Sequence, residues 1–378
     1  MQARRKADNE EKGTSLAMDS LVGIVWSDWW RLLVQNRFVI DPRYWHKAAY
    51  LTIRSAYNSQ LRRTEERLFG EQIRETSVAA PPVFVLGHWR SGTTFLHNLL
   101  SRDPRFAYPT LLDMYNPHSF IHLQKKVEKI LEKAPSQKRP MDNVVVTYKS
   151  PAEDEFALAI LSLESPLLGW TFPRRVRVYD RYLTFRNVNG QERRRWEEAF
   201  VLMVKKLTLK YGGKQLLLKS PTHTGRIELL LKLFPNAKFI HIHRNPYDVF
   251  KSTRKLYDTA VIPSQAQKPT NGWDPVDRIL RQYVEIYDAF FEQKDQIPSG
   301  NFTEVAFEEL EREPLSVLRR IYDALDLGDF DQAEPHVREY LSSVSNYKKN
   351  AHRELPPELK EAIAQAWKRN FEMWGYPV

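Results

Sequence analysis

Short apolar runs alternate with longer amphipathic stretches through the middle of the chain, starting after the proline pair at 81–82. Brief apolar runs bounded by turn residues are typical of buried strands, whereas apolar positions at helical spacing indicate helices. The runs that we predict as strands are VFVL (83–86), NVVVTY (143–148), QLLLK (215–219), AKFIHIH (237–243) and NFTEVAF (301–307).

Helical patterns separate these runs and continue beyond the last one. The predicted helices are 94–101, 117–133, 153–164, 191–211, 223–234, 247–258, 274–296, 308–326, 333–343 and 357–372. Strands that alternate with helices favour an α/β fold, in which helices cover both faces of a parallel sheet. Residues 259–275 are rich in Pro, Gln, Thr and Gly, so we expect a long loop there, with the length of a lid.

The chain before residue 81 has a different pattern. Residues 1–18 are mostly charged and polar, and we expect a disordered tail. Residues 19–80 form an N-terminal helical segment that opens with an amphipathic, Trp-rich helix at 19–40. The pattern favours a helix packed on its own domain. The alternative is a helix in a membrane interface, where Trp and Arg suit the headgroup layer.

Composition narrows the classes of partner. The 378 residues carry a formal net charge of +10, which suits an anionic ligand, an anionic membrane surface or nucleic acid. Nucleic acid ranks last, because no basic tract with interleaved aromatic residues occurs. The absence of Cys excludes disulfides, thiolate zinc sites and cysteine nucleophiles, and it suits a cytoplasmic protein. We expect no secretory signal and no membrane-spanning run.

Residues 84–96, FVLGHWRSGTTFL, pass from a predicted strand through a glycine loop into a predicted helix. Unpaired N–H groups at a helix start, together with the helix dipole, bind anions. Gly87 and Gly92 permit the tight turn and a close approach of the backbone to a ligand. The hydroxyl groups that can add hydrogen bonds are those of Ser91, Thr93 and Thr94.

The loop departs from a nucleoside-triphosphate site in two respects. Thr93 occupies the position of the usual lysine, and Arg90 lies inside the loop instead. The strand KFIHIH ends in Arg244, where a triphosphate enzyme places a magnesium-binding carboxylate. These differences disfavour a P-loop kinase or NTPase and favour a cationic phosphate site without a metal.

A second cationic motif follows in FIHIHRNPYDVFKST, residues 239–253. Arg244 comes directly after the predicted strand, and Pro246 suits the first turn of the next helix. Ser252 lies about two helical turns further on. A guanidinium and a hydroxyl that converge near a strand end can bind a second phosphate group.

Together the two motifs resemble those of the sulfotransferases that use 3′-phosphoadenosine 5′-phosphosulfate (PAPS), in their broad bacterial branch. The resemblance extends over roughly residues 82–328. The cytosolic aryl branch has Lys at the position of Arg90. The segments that carry the resemblance are Arg90–Thr94 for the phosphosulfate loop, Arg244-x-Pro246 with Ser252 for the 3′-phosphate site, LLLKSPTH (216–223) and VAFEELEREPLSVLRRIYDAL (305–325).

The resemblance implies a P-loop-like three-layer domain at 81–330, with a helical part at 331–378 that completes the nucleotide site. It implies direct sulfuryl transfer to a hydroxyl of a small molecule, lipid or glycan, leaving PAP, with no metal or covalent intermediate. A late basic loop of the family folds over the nucleotide. The residues in the matching stretch are Tyr347, Lys348, Lys349 and Arg353. A membrane-associated binding protein with a vestigial nucleotide site is a further alternative.

Transfer to a hydroxyl needs cations near the moving group and a base for the acceptor proton. Arg90 is placed for the first task, and so is Lys219, which ends the strand QLLLK. In related branches a lysine at this strand end stabilises the leaving oxygen. The candidates for the base are Asp113, His118, Glu153 and Glu155.

Overall fold

The computed structural model describes residues 20–131, 137–139, 141, 144–270, 272–345 and 354–378. The strands, in chain order, are β1 Val83–Leu86, β2 Phe106–Ala107, β3 Gln137–Lys138, β4 Val145–Val146, β5 Gln215–Lys219, β6 Lys238–His243 and β7 Phe302–Ala306. Five of them form a parallel sheet in the order β2-β5-β1-β6-β7. β3 and β4 form a separate antiparallel pair.

Helices connect and cover these strands. Those of the described residues are α1 Trp26–Gln35, α2 Trp45–Glu75, α3 Thr93–Leu100, α4 Leu111–Tyr115, α5 Phe120–Leu131, α6 Glu155–Leu161, α7 Leu168–Thr171, α8 Val176–Asp180, α9 Gly190–Lys210, α10 Ile227–Leu233, α11 Pro246–Leu256, α12 Pro275–Gln293, α13 Phe307–Arg312, α14 Pro314–Leu325, α15 Glu334–Ser343, α16 Pro357–Ala366 and α17 Lys368–Trp374. None of the described helices combines the length and the apolar character that crossing a bilayer requires.

Side chains that alternate between the two faces of the sheet divide the core into two layers. In β1, Phe84 faces one apolar cluster, while Val83 and Val85 face the other. Successive strand side chains point to opposite faces, so a run of four buried apolar residues must be covered on both sides. The predicted three-layer α/β fold is therefore confirmed. Trp29 of α1 and Phe371 of α17 belong to the same cluster as Phe84, so both ends of the described chain pack on this domain.

The run 143–148 is a correction to the predicted sheet. Val145 and Val146 pair with β3 rather than with the central sheet, and Val145 is exposed. Asn143 lies outside the described residues. The edge position is filled instead by β2, which we did not predict because two residues carry no detectable period.

Several helix boundaries in the structure differ from the predicted ones. The helix predicted at 153–164 begins at Glu155, so Glu153 lies before it. The helix predicted at 308–326 is two helices, because Pro314 cannot continue α13 and starts α14 instead. The predicted long loop begins within a π-helical turn at Tyr257–Val261 that extends α11.

A buried ion pair joins α6 to the segment after β5. Arg226 donates to both carboxylate oxygens of Glu155, at 2.6 and 3.1 Å, and both side chains are fully buried. Arg226 also donates to the backbone carbonyl of Tyr182. A buried charge that loses its partner is costly, so this contact fixes how α6 docks on the sheet.

We expect Arg226→Met to lower the free energy of unfolding by about 3–5 kcal/mol, because it leaves the Glu155 charge buried without its partner. Urea denaturation followed by circular dichroism measures the change. Arg319→Met is the matched control, since Arg319 pairs with Asp331 and Glu334 at the exposed surface, where pairs contribute less than about 1 kcal/mol. Equal effects of the two substitutions would contradict the assignment.

Candidate active site

The glycine loop has the backbone that its sequence predicts. Gly87 and Gly92 have φ values of 143° and 103°, and Arg90 also has positive φ, at 71°. The Ser91 hydroxyl donates to the His88 carbonyl at 2.8 Å, so it holds the loop together from inside. The Gly87 N–H donates to the hydroxyl of Thr224, in the turn after β5.

The helix that follows the loop begins at Thr93, which is buried, and Thr94 is half-buried beside it. The first N–H groups of a helix have no partner within that helix. In α3 these groups lie at the carboxyl end of β1, in the middle of the sheet. The helix start and its dipole therefore lie where the predicted anion site requires them.

The two predicted motifs meet in space. The Nε of Arg90 donates to the Ser252 hydroxyl at 2.8 Å, and Arg244 Nη1 donates to the Arg90 carbonyl at 3.4 Å. The Nε of Arg244 is buried and has no hydrogen-bond partner among the described residues. Two guanidinium groups and a hydroxyl are thus gathered around one loop, although more than 150 residues separate Arg90 from Arg244.

Phe307, the first residue of α13, contacts both motifs. The guanidinium of Arg244 lies 4.5 Å from the centre of its ring. A Cβ added at Gly92 would overlap the same ring. The aromatic ring therefore supports the cation and also explains why the second loop position must be glycine.

Lys219 lies where the sequence places it, at the end of β5 and paired in register with Val85 of β1. Its side chain is buried, and its Nζ lies 2.7 Å from the Glu153 carboxylate. Burial lowers the pKa of Lys219 below its ordinary value, and the charge of Glu153 opposes that shift. Glu153 itself is half-buried, so one face of this pair remains accessible.

Asp154 holds the lysine segment in place. Its Oδ1 accepts from the Lys219 N–H and from the Ser220 hydroxyl, both at 3.1 Å, and its Oδ2 accepts from His223 Nε2. Burial opposes ionisation of Asp154, but His223 and the Ser220 hydroxyl lower its pKa below its ordinary value. The carboxylate therefore stays charged and fixes the end of β5.

The other candidate bases lie in different surroundings. Asp113 is buried in a helix cap, where its oxygens accept from Thr110 and, at 2.7 and 2.9 Å, from Lys210. Burial and the nearby cations, among them Lys206, lower the pKa of His118 to about 3, and its Nε2 is buried without a hydrogen-bond partner among the described residues.

Glu155 is also fully occupied. Besides Arg226, its oxygens accept from Ser165 at 2.7 Å and from Thr222 at 2.8 Å. Each carboxylate oxygen of Glu155 therefore accepts two hydrogen bonds within the protein. Of the predicted bases, only Glu153 contacts a predicted catalytic cation. Tyr347, Lys348, Lys349 and Arg353 lie outside the described residues.

Sequence reasoning missed three contributors to the site. Asp154 belongs to no motif, and Phe307 lies in the family-like segment 305–325 without a predicted role, because the partners of both residues come from distant segments. Trp89, inside the loop, packs against Trp170 of α7 with ring centroids 6.3 Å apart. The one indication in the sequence that Trp89 belongs to the site was its position in the loop between Gly87 and Arg90. Within the described part of the chain, no group of three or more His, Asp or Glu side chains is arranged to hold a metal ion.

A parallel sheet with a glycine loop between its central strand and the following helix defines this chain as a P-loop-like α/β protein. A model of the sulfotransferase family matches residues 81–332, and the chain belongs to that family. The sequence is 36% identical over 377 residues to Mycobacterium tuberculosis omega-hydroxy-beta-dihydromenaquinone-9 sulfotransferase Stf3, covering 100% of this chain and 96% of the relative.

Solved structures show the same fold. The sulfotransferase STF9 from Mycobacterium avium has a TM-score of 0.62 at 20% identity, covering 93% of this chain and 96% of that one. The sulfotransferase STF1 from M. tuberculosis has a TM-score of 0.61 at 18% identity, covering 90% and 91% of the two chains. The resemblance inferred from the two motifs is thereby confirmed at the level of family and fold.

We expect Gly92→Ala to destabilise the protein by more than Gly213→Ala. Both glycines have positive φ, so both substitutions add backbone strain of about 1–2 kcal/mol. Only at Gly92 does the new methyl group also overlap Phe307, whereas Gly213 faces open space. Overpacking adds roughly 1–3 kcal/mol.

Thermal unfolding of the two variants measures this difference. Gly92→Ala in a Phe307→Ala background provides the test of cause, because removing the ring should relieve the extra loss. A Gly92→Ala variant as stable as Gly213→Ala would show that the ring does not constrain this position.

Proposed function

We propose that this chain transfers the sulfuryl group of PAPS to a hydroxyl acceptor, giving a sulfate ester and PAP. The observation that carries the proposal is the convergence of Arg90, Ser252 and Arg244 on a loop at the carboxyl end of β1, with Lys219 on the adjacent strand. Family membership supports the reaction class.

The residues around the loop suit a ligand with two anionic groups. The backbone N–H groups at the start of α3 and the Arg90 guanidinium would bind the phosphosulfate end. Arg244 and Ser252 would bind the 3′-phosphate, and the Arg244 Nε, which has no partner within the described ranges, would supply a buried donor for it. Arginine suits this task because its planar fork matches phosphate oxygens.

PAPS, when bound, would supply an activated sulfuryl group whose transfer breaks one S–O bond and forms another at the acceptor oxygen. Arg90 and Lys219 place positive charge at the end of the sheet where negative charge develops. The Lys219 cation is preoriented by the Asp154 contact to its backbone and by its pairing with Glu153. Held in place beforehand, these cations need little reorganisation during the reaction.

Glu153 is the group that we assign as the base. Its carboxylate would take the proton of the acceptor hydroxyl, so that the oxygen attacks as the proton leaves. Asp113 and Glu155 have their oxygens committed to buried partners, and His118 lies in a different polar cluster, beside Lys206. The half-buried position of Glu153 gives an acceptor access that those two carboxylates lack.

We propose an apolar hydroxylated acceptor of isoprenoid or lipid type. The M. tuberculosis relative is named for an omega-hydroxylated menaquinone derivative, and it matches the whole of this chain. The Trp89–Trp170 pair beside the loop provides an apolar wall of the kind that such a chain would contact. The triphosphate alternative lacks a matching residue, since Arg244 stands at the strand end where magnesium chemistry needs a carboxylate.

Lys219→Ala should lower kcat by roughly 10³-fold, because it removes a preorganised cation from the reacting centre. Lys214→Ala, at the exposed start of the same strand, is the matched control and should leave kcat unchanged. Radiolabelled PAPS with a hydroxylated isoprenoid, assayed with a chelator present, measures both rates. Turnover by Lys219→Ala equal to that of the control would overturn the mechanism, and loss of all turnover in the chelator would favour the triphosphate alternative.

Glu153→Gln should lower kcat by on the order of 10²–10⁴-fold while leaving PAP affinity and unfolding temperature near those of the parent. Asp113→Asn should do the opposite, losing roughly 3 kcal/mol of stability through its buried partner Lys210 but keeping kcat in the folded fraction. Single-turnover kinetics and calorimetry separate the two. A large kcat loss in Asp113→Asn alone would move the base to Asp113.

A further inference from the structure

The outer face of α1 carries large apolar side chains at every fourth residue. Trp26, Trp30, Val34 and, just beyond the helix, Phe38 are each about half exposed, with Trp30 at 51%. The rings of Trp26 and Trp30 stack at 6.3 Å, and Phe38 meets Trp30 edge-on at 5.3 Å. The opposite side of α1 is packed into the core.

The first half of α2 continues this surface. Trp45, Tyr50, Ile53 and Tyr57 are exposed, and Ile53 is 75% accessible. Hydrogen bonds hold the two helices together, from the Trp26 N–H to Ser59 and from the Trp29 indole to Thr52. We call these exposed residues of α1 and α2, with Phe38, the aromatic face.

Charge in this part of the chain is strongly one-sided. Residues 20–64 contain seven Lys or Arg and two Asp, with no Glu. Both acids are neutralised locally, because Asp28 lies 3.8 Å from Arg31 and Asp41 binds Arg43 through both carboxylate oxygens. The cations of this segment that remain exposed include Arg37, next to Phe38, and Arg62 and Arg63 on α2.

We propose that the aromatic face docks on the surface of an anionic phospholipid bilayer. Trp and Tyr side chains favour the boundary between headgroups and acyl chains, and neighbouring Lys and Arg are attracted to anionic lipid. Charge favours this occupant over a second copy of the chain, because a symmetric contact would bring together two surfaces whose residues 20–64 carry seven cations and only two carboxylates, both already paired. The helices would lie in the interface plane, since their inner sides are held by the protein core.

The aromatic face is connected to the active site through a short path. Asp41, between α1 and α2, donates its N–H to the Ala266 carbonyl, and the Ala266 N–H donates to Thr171, both at 2.8 Å. Thr171 follows Trp170, which packs on Trp89 of the glycine loop. Docking would therefore bring the Trp89–Trp170 pair, which we propose to contact the acceptor, close to the bilayer. A lipid hydroxyl could then enter without crossing water. This consequence rests on the proposed function, whereas docking itself does not.

The test uses the full chain and vesicles of phosphatidylcholine, with or without phosphatidylglycerol. We expect co-sedimentation with the anionic vesicles, a blue shift of tryptophan emission, and weaker binding in high salt. The double substitution Trp26→Ser and Trp30→Ser should lower affinity by at least about tenfold. Arg62→Gln with Arg63→Gln should also lower it by about tenfold or more.

Leu202→Ser, an exposed apolar position on α9, is the matched control and should bind vesicles like the parent. Absence of vesicle binding by the parent, or equal loss in the control, would overturn the proposal. The proposal would also be overturned, in favour of contact between copies, by a protein that binds no vesicles but forms a dimer that the Trp double variant loses. Analytical ultracentrifugation measures that dimer.

Turnover of a short water-soluble alcohol separates this proposal from the proposed function. The Trp26→Ser and Trp30→Ser variant should keep that turnover while losing vesicle binding, because neither residue lies at the active site. A parent protein that binds vesicles but transfers no sulfuryl group to any hydroxyl would refute the reaction and leave the docking surface standing. A parent protein that transfers the sulfuryl group at full rate but does not bind vesicles would refute the docking surface and leave the reaction standing.

Discussion

Three consecutive acids, Glu153, Asp154 and Glu155, bind three basic side chains that lie at the end of β5 and in the turn that follows it. Their partners are Lys219, His223 and Arg226. Most of these groups are buried, and a buried charge is tolerated only when it is paired and hydrogen-bonded. The acidic segment therefore has one favourable register on the sheet. The position of the proposed base relative to the proposed catalytic lysine follows from that register.

The glycine loop differs from this segment, because a buried nitrogen of the neighbouring Arg244 has no hydrogen-bond partner among the described residues. Arg244 lies against the carbonyl of Arg90 and above Phe307, with Asp248 only at 3.8 Å. A dianionic ligand would neutralise these cations and satisfy the buried Arg244 nitrogen. The proposed site therefore combines paired charges at the end of β5 with a buried Arg244 nitrogen, near the end of β1, that a ligand would satisfy.

Helix α1 has one side in the protein core and the other at the exposed surface. Trp29 packs in the core, while Trp26 and Trp30 on the same helix face outward. Helical periodicity alone separates these tryptophans into inward and outward sets, but it does not reveal that α2 extends the outward set. The extension depends on two hydrogen bonds between residues more than 20 positions apart.

The sequence by itself determined the α/β class, four of the five central strands, the glycine loop between strand and helix, and the family, because each depends on local periodicity or on short motifs. It predicted Lys219 at a strand end for the same reason. Only the tertiary structure shows how the surroundings of the candidate bases differ, since Asp113 is paired with Lys210 and Glu155 with Arg226. The tertiary structure was also needed to identify the two-residue edge strand β2 and to show that the run 143–148 does not join the central sheet. Pairing with a distant partner decides whether so short a run joins a sheet.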